Sequence, residues 1–130
     1  MPYRYVYVST APNLSDEEVG SILSSSVVNN EKADVCGLLL YNGRNFLQLL
    51  EGEKPRLNAI MRRINQDIRH TGIVMLASGE IVDRTCSGWA MKRVPIDREL
   101  EQRREAIAGE LPEDLPPEVR DMIVNFAALN

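Results

Sequence analysis

The residue that breaks pattern in this chain is Gln48, set inside the apolar run Phe46-Leu47-Gln48-Leu49-Leu50. A carboxamide carries a donor at one end and an acceptor at the other, so it can read a mixed hydrogen-bonding edge or bridge to another polar side chain. Buried without partners it costs about 1–3 kcal/mol. Tyr7 offers a phenol near the end of Tyr3-Arg4-Tyr5-Val6-Tyr7-Val8-Ser9. If the two segments are neighbouring strands, phenol and amide meet on one face. The plain alternative is a structural Tyr–Gln hydrogen bond within a core.

Enzyme chemistry is poorly provided for. The one histidine, His70, follows Asp67-Ile68-Arg69 at a helix end, where the dipole favours cations. Any Ser/His/Asp or Cys/His arrangement has to use it. No Gly-rich phosphate loop is present. Glu17-Glu18 reads as a helix first turn. Cys36 and Cys86 lie far apart, with no CxxC or Cys/His cluster, which argues against zinc. A disulfide framework needs more cysteines in so short a chain.

The elements that must position Tyr7 and Gln48 follow from period and punctuation. Residues 3–9 read as a strand with Tyr3, Tyr5, Tyr7 and Ser9 on one face and Arg4, Val6 and Val8 on the other. Ser15 and Glu18 form a capping box. Val19, Ile22, Leu23 and Val27 then trace a helix over about 16–29, ending at Asn29-Asn30. Residues 35–41 are short and apolar, as a strand buried on both faces is. Asn42-Gly43 signals a hairpin, and 45–51 form its second arm, with Phe46, Gln48 and Leu50 on one face. Pro55 suits a helix start, and Leu57, Ile60, Met61, Ile64 and Ile68 form a stripe. Further strands are predicted at 73–77, extending toward Val82, and at 89–94. Two helices close the chain. Asp97 caps the first, which carries Leu100 and Ile107. Pro116-Pro117 opens the second, with Val119, Met122, Ile123 and Phe126 on one side.

The order β-α-β-β-α-β-β predicts an α+β, ferredoxin-like sheet with two helices on one face and its first and third strands in the centre. The C-terminal helical pair then covers the other face. The 130 residues suffice for one domain. The net charge of −4 argues against a nucleic-acid surface. Residues 1–92 balance ten acids with ten bases, whereas 93–130 carry nine acids and five bases. No signal-peptide pattern or bilayer-length apolar run is seen, so a soluble, cytoplasmic protein without a membrane partner is expected.

Taken together, Tyr3 to Ser9, Asn29-Asn30, Gly37-Leu38-Leu39-Leu40-Tyr41, Phe46-Leu47-Gln48-Leu49-Leu50-Glu51-Gly52, Arg62-Arg63-Ile64, Asp67-Ile68-Arg69-His70 and Trp89-Ala90-Met91 resemble the BLUF domain, the sensor of blue light using flavin. The resemblance covers about residues 3–93. It implies a flavin-binding domain over 1–94 and a helical extension over 95–130 in the same compact unit.

It further implies noncovalent FAD between the two sheet-packed helices, with the ring edge toward the sheet. By motif position Tyr7 resembles the tyrosine that donates an electron and then a proton to the excited pigment. Gln48 resembles the glutamine that bridges this tyrosine to the flavin. Asn30 resembles the asparagine on the ring's carbonyl and imide edge, with Asn29 beside it. Arg63 resembles the basic residue near O2, while Arg69 and His70 correspond to positions near the ring or phosphate end. Helix capping is the other reading of Asn29 and Asn30. Trp89 and Met91, two apart on the last strand and so on one face, resemble the family's signal relay; a core Trp and a gap-filling Met is the other reading. A photoreceptor that is not itself an enzyme is expected, acting through an unidentified protein partner or as a homo-oligomer, a dimer or larger ring. An RNA-binding module, an acyl-phosphate hydrolase and a dimerisation domain on the same topology are the competing classes.

Overall fold

The sheet has the order β4-β1-β3-β2-β5 in a computed structural model that describes residues 1–86, 88–94, 96 and 100–128, with the backbone alone at 100–102. Its strands are β1 (Pro2–Thr10), β2 (Cys36–Tyr41), β3 (Asn45–Glu53), β4 (Thr71–Glu80) and β5 (Lys92–Arg93), and its helices α1 (Asp16–Ala33), α2 (Lys54–Gln66), α3 (Leu100–Glu110) and α4 (Pro117–Ala128). β1 is antiparallel to both β3 and β4, β2 is antiparallel to β3, and β5 runs parallel to β2. This is the expected α+β, ferredoxin-like arrangement with β1 and β3 at the centre.

Alternation along the strands sorts the two faces. Tyr5, Tyr7, Leu39, Tyr41, Phe46 and Leu50 pack beneath α1 and α2 with Val19, Ile22, Leu57 and Ile60. Val6, Leu38, Leu40, Leu47 and Leu49 pack on the opposite face with Ile107, Val119, Ile123 and Ala127 of the C-terminal helices and with Leu111 between them. On α4 the buried residues are Val119, Ile123, Val124 and Ala127, so the stripe is rotated from the one expected through Met122 and Phe126. The expected Asp97 cap and the Leu100 side chain lie outside the described residues.

Three boundaries differ from expectation. Helix α2 ends at Gln66, so Ile68, expected in its apolar stripe, lies past the helix and is exposed. Helix α1 has its Ser15–Glu18 capping box, but it runs through Asn29-Asn30 to Ala33. Its cap is Asp34, in the left-handed conformation, whose N–H reaches the carbonyls of Asn30 and Glu31. Glu31-Lys32-Ala33 are good helix formers and carry the helix one turn further. Asn29 and Asn30 are therefore not caps. The fifth strand shrinks to two residues, because the Trp89 N–H turns back to Cys86 O after Gly88 at φ +99°. Period two fails in this irregular stretch. Trp89 packs against the α3–α4 core while Met91 packs beneath α1 and α2, so the two do not share a face.

Gly37 lies close against β3 and Met91: a Cβ there would sit 2.5 Å from Leu49 O and 3.4 Å from Met91 Cε. Its N–H is donated to Trp89 O. At the far edge β4 pairs with β1 and leaves Val74, Met75 and Leu76 exposed.

Candidate functional site

Tyr7 and Gln48 are directly opposed across the β1–β3 ladder. The Tyr7 hydroxyl donates to Gln48 Oε1, in a pair that is fully buried at Tyr7 and nearly so at Gln48. Burial pushes the Tyr7 phenol well above its ordinary value, so at neutral pH it stays a protonated donor. With Oε1 committed to Tyr7, the Gln48 amide NH₂ is available to whatever lies over the sheet.

Over the sheet is a cavity of about 30 Å³ between α1 and α2. Gln48 forms part of its floor, Asn29 and Asn30 come from α1, and Arg63 comes from α2. Leu50, Ile60, Ile64 and Met91 supply apolar walls. Asn30 is buried and donates Nδ2–H to Ala90 O at 2.7 Å, which leaves its Oδ1 unused by that bond. At the mouth the exposed Arg63 Nη1 donates to Asn29 Oδ1 at 2.8 Å. Tyr5, a second phenol on the same face, is held by α2 through Asn58 Oδ1 at 2.6 Å.

The two helices run antiparallel, and arginines cross between them at three levels. Arg56 Nη1 donates to Ala33 O at 3.1 Å, Arg63 reaches Asn29, and Arg69 Nη1 reaches Ser21 Oγ at 3.5 Å. Arg69 is also paired with Asp67, at 2.6 Å through Nη2. That hydrogen-bonded pair lowers the Asp67 carboxyl and raises the Arg69 guanidinium. His70 lies outside the cavity lining. Its Nδ1 is 2.9 Å from Ser9 Oγ, its ring meets Phe46 edge-on, and burial lowers its pKa. Of the residues singled out in the sequence, the fold thus brings Gln48, Asn29, Asn30, Arg63 and Met91 to one cavity, with Tyr7 behind Gln48. Arg69 and His70 lie outside that cavity, against Ser21 and Ser9 respectively, and Trp89 faces the other side.

One polar centre escaped the sequence reading. Glu51, fully buried on the face opposite Gln48, accepts from Arg4 Nε at 2.9 Å, Thr85 N at 2.6 Å, Thr85 Oγ1 at 2.6 Å and Cys86 N at 3.2 Å. The signal was an opposite-charge pair, Arg4 beside Val6 and Glu51 beside Leu49, each on an otherwise apolar strand face.

The residues around the cavity suit a flavin. Amides and a guanidinium match a heterocycle edge with alternating donors and acceptors, and aliphatic walls match flat ring faces. A three-ring chromophore is larger than 30 Å³, so binding one requires a wider opening between α1 and α2 than this cavity has.

A family profile described as sensors of blue light using FAD, BLUF, matches residues 3–92. The photoactivated adenylate cyclase subunit alpha of Euglena gracilis is 31% identical over 94 residues, covering 72% of this chain and 9% of that protein. The blue light- and temperature-regulated antirepressor BluF of Escherichia coli K12 is 42% identical over 74 residues, 57% of this chain and 18% of that one. The chain therefore spans less than a fifth of the length of these curated relatives. Among solved structures, the dark state of BlrB, a BLUF protein, superimposes with a TM-score of 0.74 at 26% identity, covering 97% of this chain and 93% of that one. The ferredoxin-like sheet and the profile match together define a light-sensing flavoprotein. This chain belongs to the BLUF family of blue-light photoreceptors, whose cofactor is FAD. Among the described residues, no helix is long and apolar enough to cross a membrane.

Proposed function

We propose that Tyr7 and Gln48 form the light-responsive pair of this photoreceptor and that Asn29, Asn30 and Arg63 hold the ring edge of the pigment. The observation that carries this reading is the buried Tyr7–Gln48 hydrogen bond, placed so that the remaining end of the amide borders the cavity between α1 and α2. When bound and excited by blue light, FAD supplies the oxidant and the proton acceptor. Tyr7 gives up an electron and then its hydroxyl proton, and takes both back. In the interval Gln48 turns its amide, which exchanges the donor and acceptor it presents to the ring without moving β3. With FAD bound, this exchange would change the hydrogen bonds that Gln48 offers the ring, and such a change would shift its absorption to the red.

Arg69 and His70 serve the ring or phosphate end of the pigment, and Arg56, Arg63 and Arg69 cross the α1–α2 seam. The response leaves the site through Met91, which touches the cavity, and Asn30, which holds Ala90 O. Trp89, between these residues and the α3–α4 core, passes it to the C-terminal helices. The chain performs no catalysis itself and acts in the cytoplasm on a protein partner or through self-association. The unpaired edge of β4 supports a homo-oligomer: its residues 71–79 carry no charge, and Val74, Met75 and Leu76 stand exposed.

The test is an absorption spectrum of the FAD-loaded protein before and after blue light. A reversible red shift is expected in the parent chain and in Tyr5→Phe. No shift in the parent chain, despite bound flavin, would refute the reading.

A further inference from the structure

The Cys36 and Cys86 side chains meet on the face opposite the flavin cavity. Their Cα atoms are 5.8 Å apart, within the span a disulfide bridges, and the two sulfurs are joined. Three features distinguish this pair from a passive staple. Both sulfurs lie beside the buried Glu51 carboxylate, with Oε1 3.4 Å from Cys86 Sγ and 3.9 Å from Cys36 Sγ. Glu51 thus provides an acceptor for the S–H groups once the bond is opened. Cys36, itself buried, lines a surface pocket of about 450 Å³ with Asp34, Arg84 and Trp89, which gives a small reductant a route toward it. Finally, the bond sits beside the contacts that hold Trp89 and Ala90: Gly37 N–H to Trp89 O, Trp89 N–H to Cys86 O, and Asn30 to Ala90 O.

We propose that Cys36 and Cys86 are a reversible thiol–disulfide site, opened by a dithiol reductant through the Cys36 pocket, and that opening it loosens Gly88–Met91 from β2. A reductant thiolate attacks Cys36 Sγ, and the S–S electron pair leaves on Cys86 Sγ, which takes up a proton. The second reductant thiol then attacks the mixed disulfide and closes to a cyclic disulfide, releasing Cys36 as a thiol. Two electrons and two protons pass to the protein. None of these steps uses Tyr7, Gln48 or the pigment. The site therefore adds a second input, redox poise, that converges with the proposed light output on Ala90 and Met91.

The full FAD-loaded chain tests this. After mild oxidation with oxidised glutathione, then alkylation in denaturant, intact mass should show no added label; after dithiothreitol treatment of the native protein it should show two. Hydrogen exchange at the Trp89, Gly37 and Cys86 amides should quicken about tenfold on reduction, a local loss of about 1.4 kcal/mol. The Cys36→Ser/Cys86→Ser variant should exchange at the fast rate and ignore the reductant. Two alkylatable thiols after oxidation, zinc retained by the reduced chain in place of a disulfide, or equal exchange in both redox states would each overturn the proposal. The flavin spectrum, read in parallel, reports separately on the light-sensing assignment.

Discussion

The Tyr7–Gln48 pair can be tested by a double-substitution cycle that separates its structural part from its photochemical part. Tyr7→Phe removes the hydroxyl and leaves Gln48 Oε1 buried without a donor. Gln48→Leu removes the amide and leaves the Tyr7 hydroxyl, in a fully buried side chain, without its acceptor. Each substitution should cost about 1–3 kcal/mol, mostly the desolvation of the orphaned atom. Tyr7→Phe/Gln48→Leu removes both polar groups and sets a phenyl ring opposite an aliphatic side chain across the ladder, an arrangement that is nearly neutral. Its cost should fall short of the sum of the single costs by about 2–6 kcal/mol, the two orphaning penalties together. At this size each kcal/mol corresponds to a Tm shift of about 3–5 °C. Urea unfolding of the flavin-free proteins measures the cycle, and spectra of the FAD-loaded proteins before and after blue light measure the response. All three variants should lose the reversible red shift, including the double variant whose stability has recovered. Additive costs would show that phenol and amide do not interact. A persisting shift in Tyr7→Phe would remove the phenol from the photochemistry even if the coupling were found.

Three further outcomes follow from other parts of the fold. Glu51→Leu leaves Arg4 buried and unpaired and should destabilise the chain by about 3–5 kcal/mol in urea unfolding. Adding Arg4→Met should restore the part of that loss due to Arg4, while the Thr85 and Cys86 donors stay unpaired, and no recovery would contradict the pairing. Burial lowers the His70 pKa in the folded chain, so the unfolded chain binds more protons in mildly acidic solution. Its contribution should be complete above the ordinary histidine value of about 6.5 and decline as pH falls through it. His70→Gln should flatten that part of the stability–pH curve; a slope unchanged by the substitution would assign it elsewhere. Opening the Cys36–Cys86 bond, which closes a loop with a sequence separation of 50, should lower unfolding stability by about 4 kcal/mol on chain-entropy grounds. Denaturation with and without reductant reads that difference, and coincident curves would refute it.

Much of this protein was legible in its residues because the relevant physics is local. Alternation in β1 and β3 put Tyr7 and Gln48 on one face, and a carboxamide inside an apolar run signalled a polar partner before any fold was known. The Ser15–Glu18 capping box and the Asn42-Gly43 turn marked their element boundaries from neighbours three residues away or fewer. The motif resemblance added the family and the pigment. Other features depended on residues distant in sequence. The end of α1 moved to Asp34, so Asn30 became a buried donor to Ala90 O, a partner 60 positions away. Trp89 and Met91 parted to opposite faces because a turn at Gly88 replaced the regular strand on which the period-two argument relied. Cys36 and Cys86, uninformative by spacing, were joined because β2 and the stretch before Trp89 cross the same sheet face. Glu51 became a buried centre for the same reason, with Arg4, Thr85 and Cys86 converging on it. Sequence pattern determines which way a side chain points within its own element, because that depends on backbone period; which distant group it meets depends on how the elements pack, and that was decided by the tertiary structure.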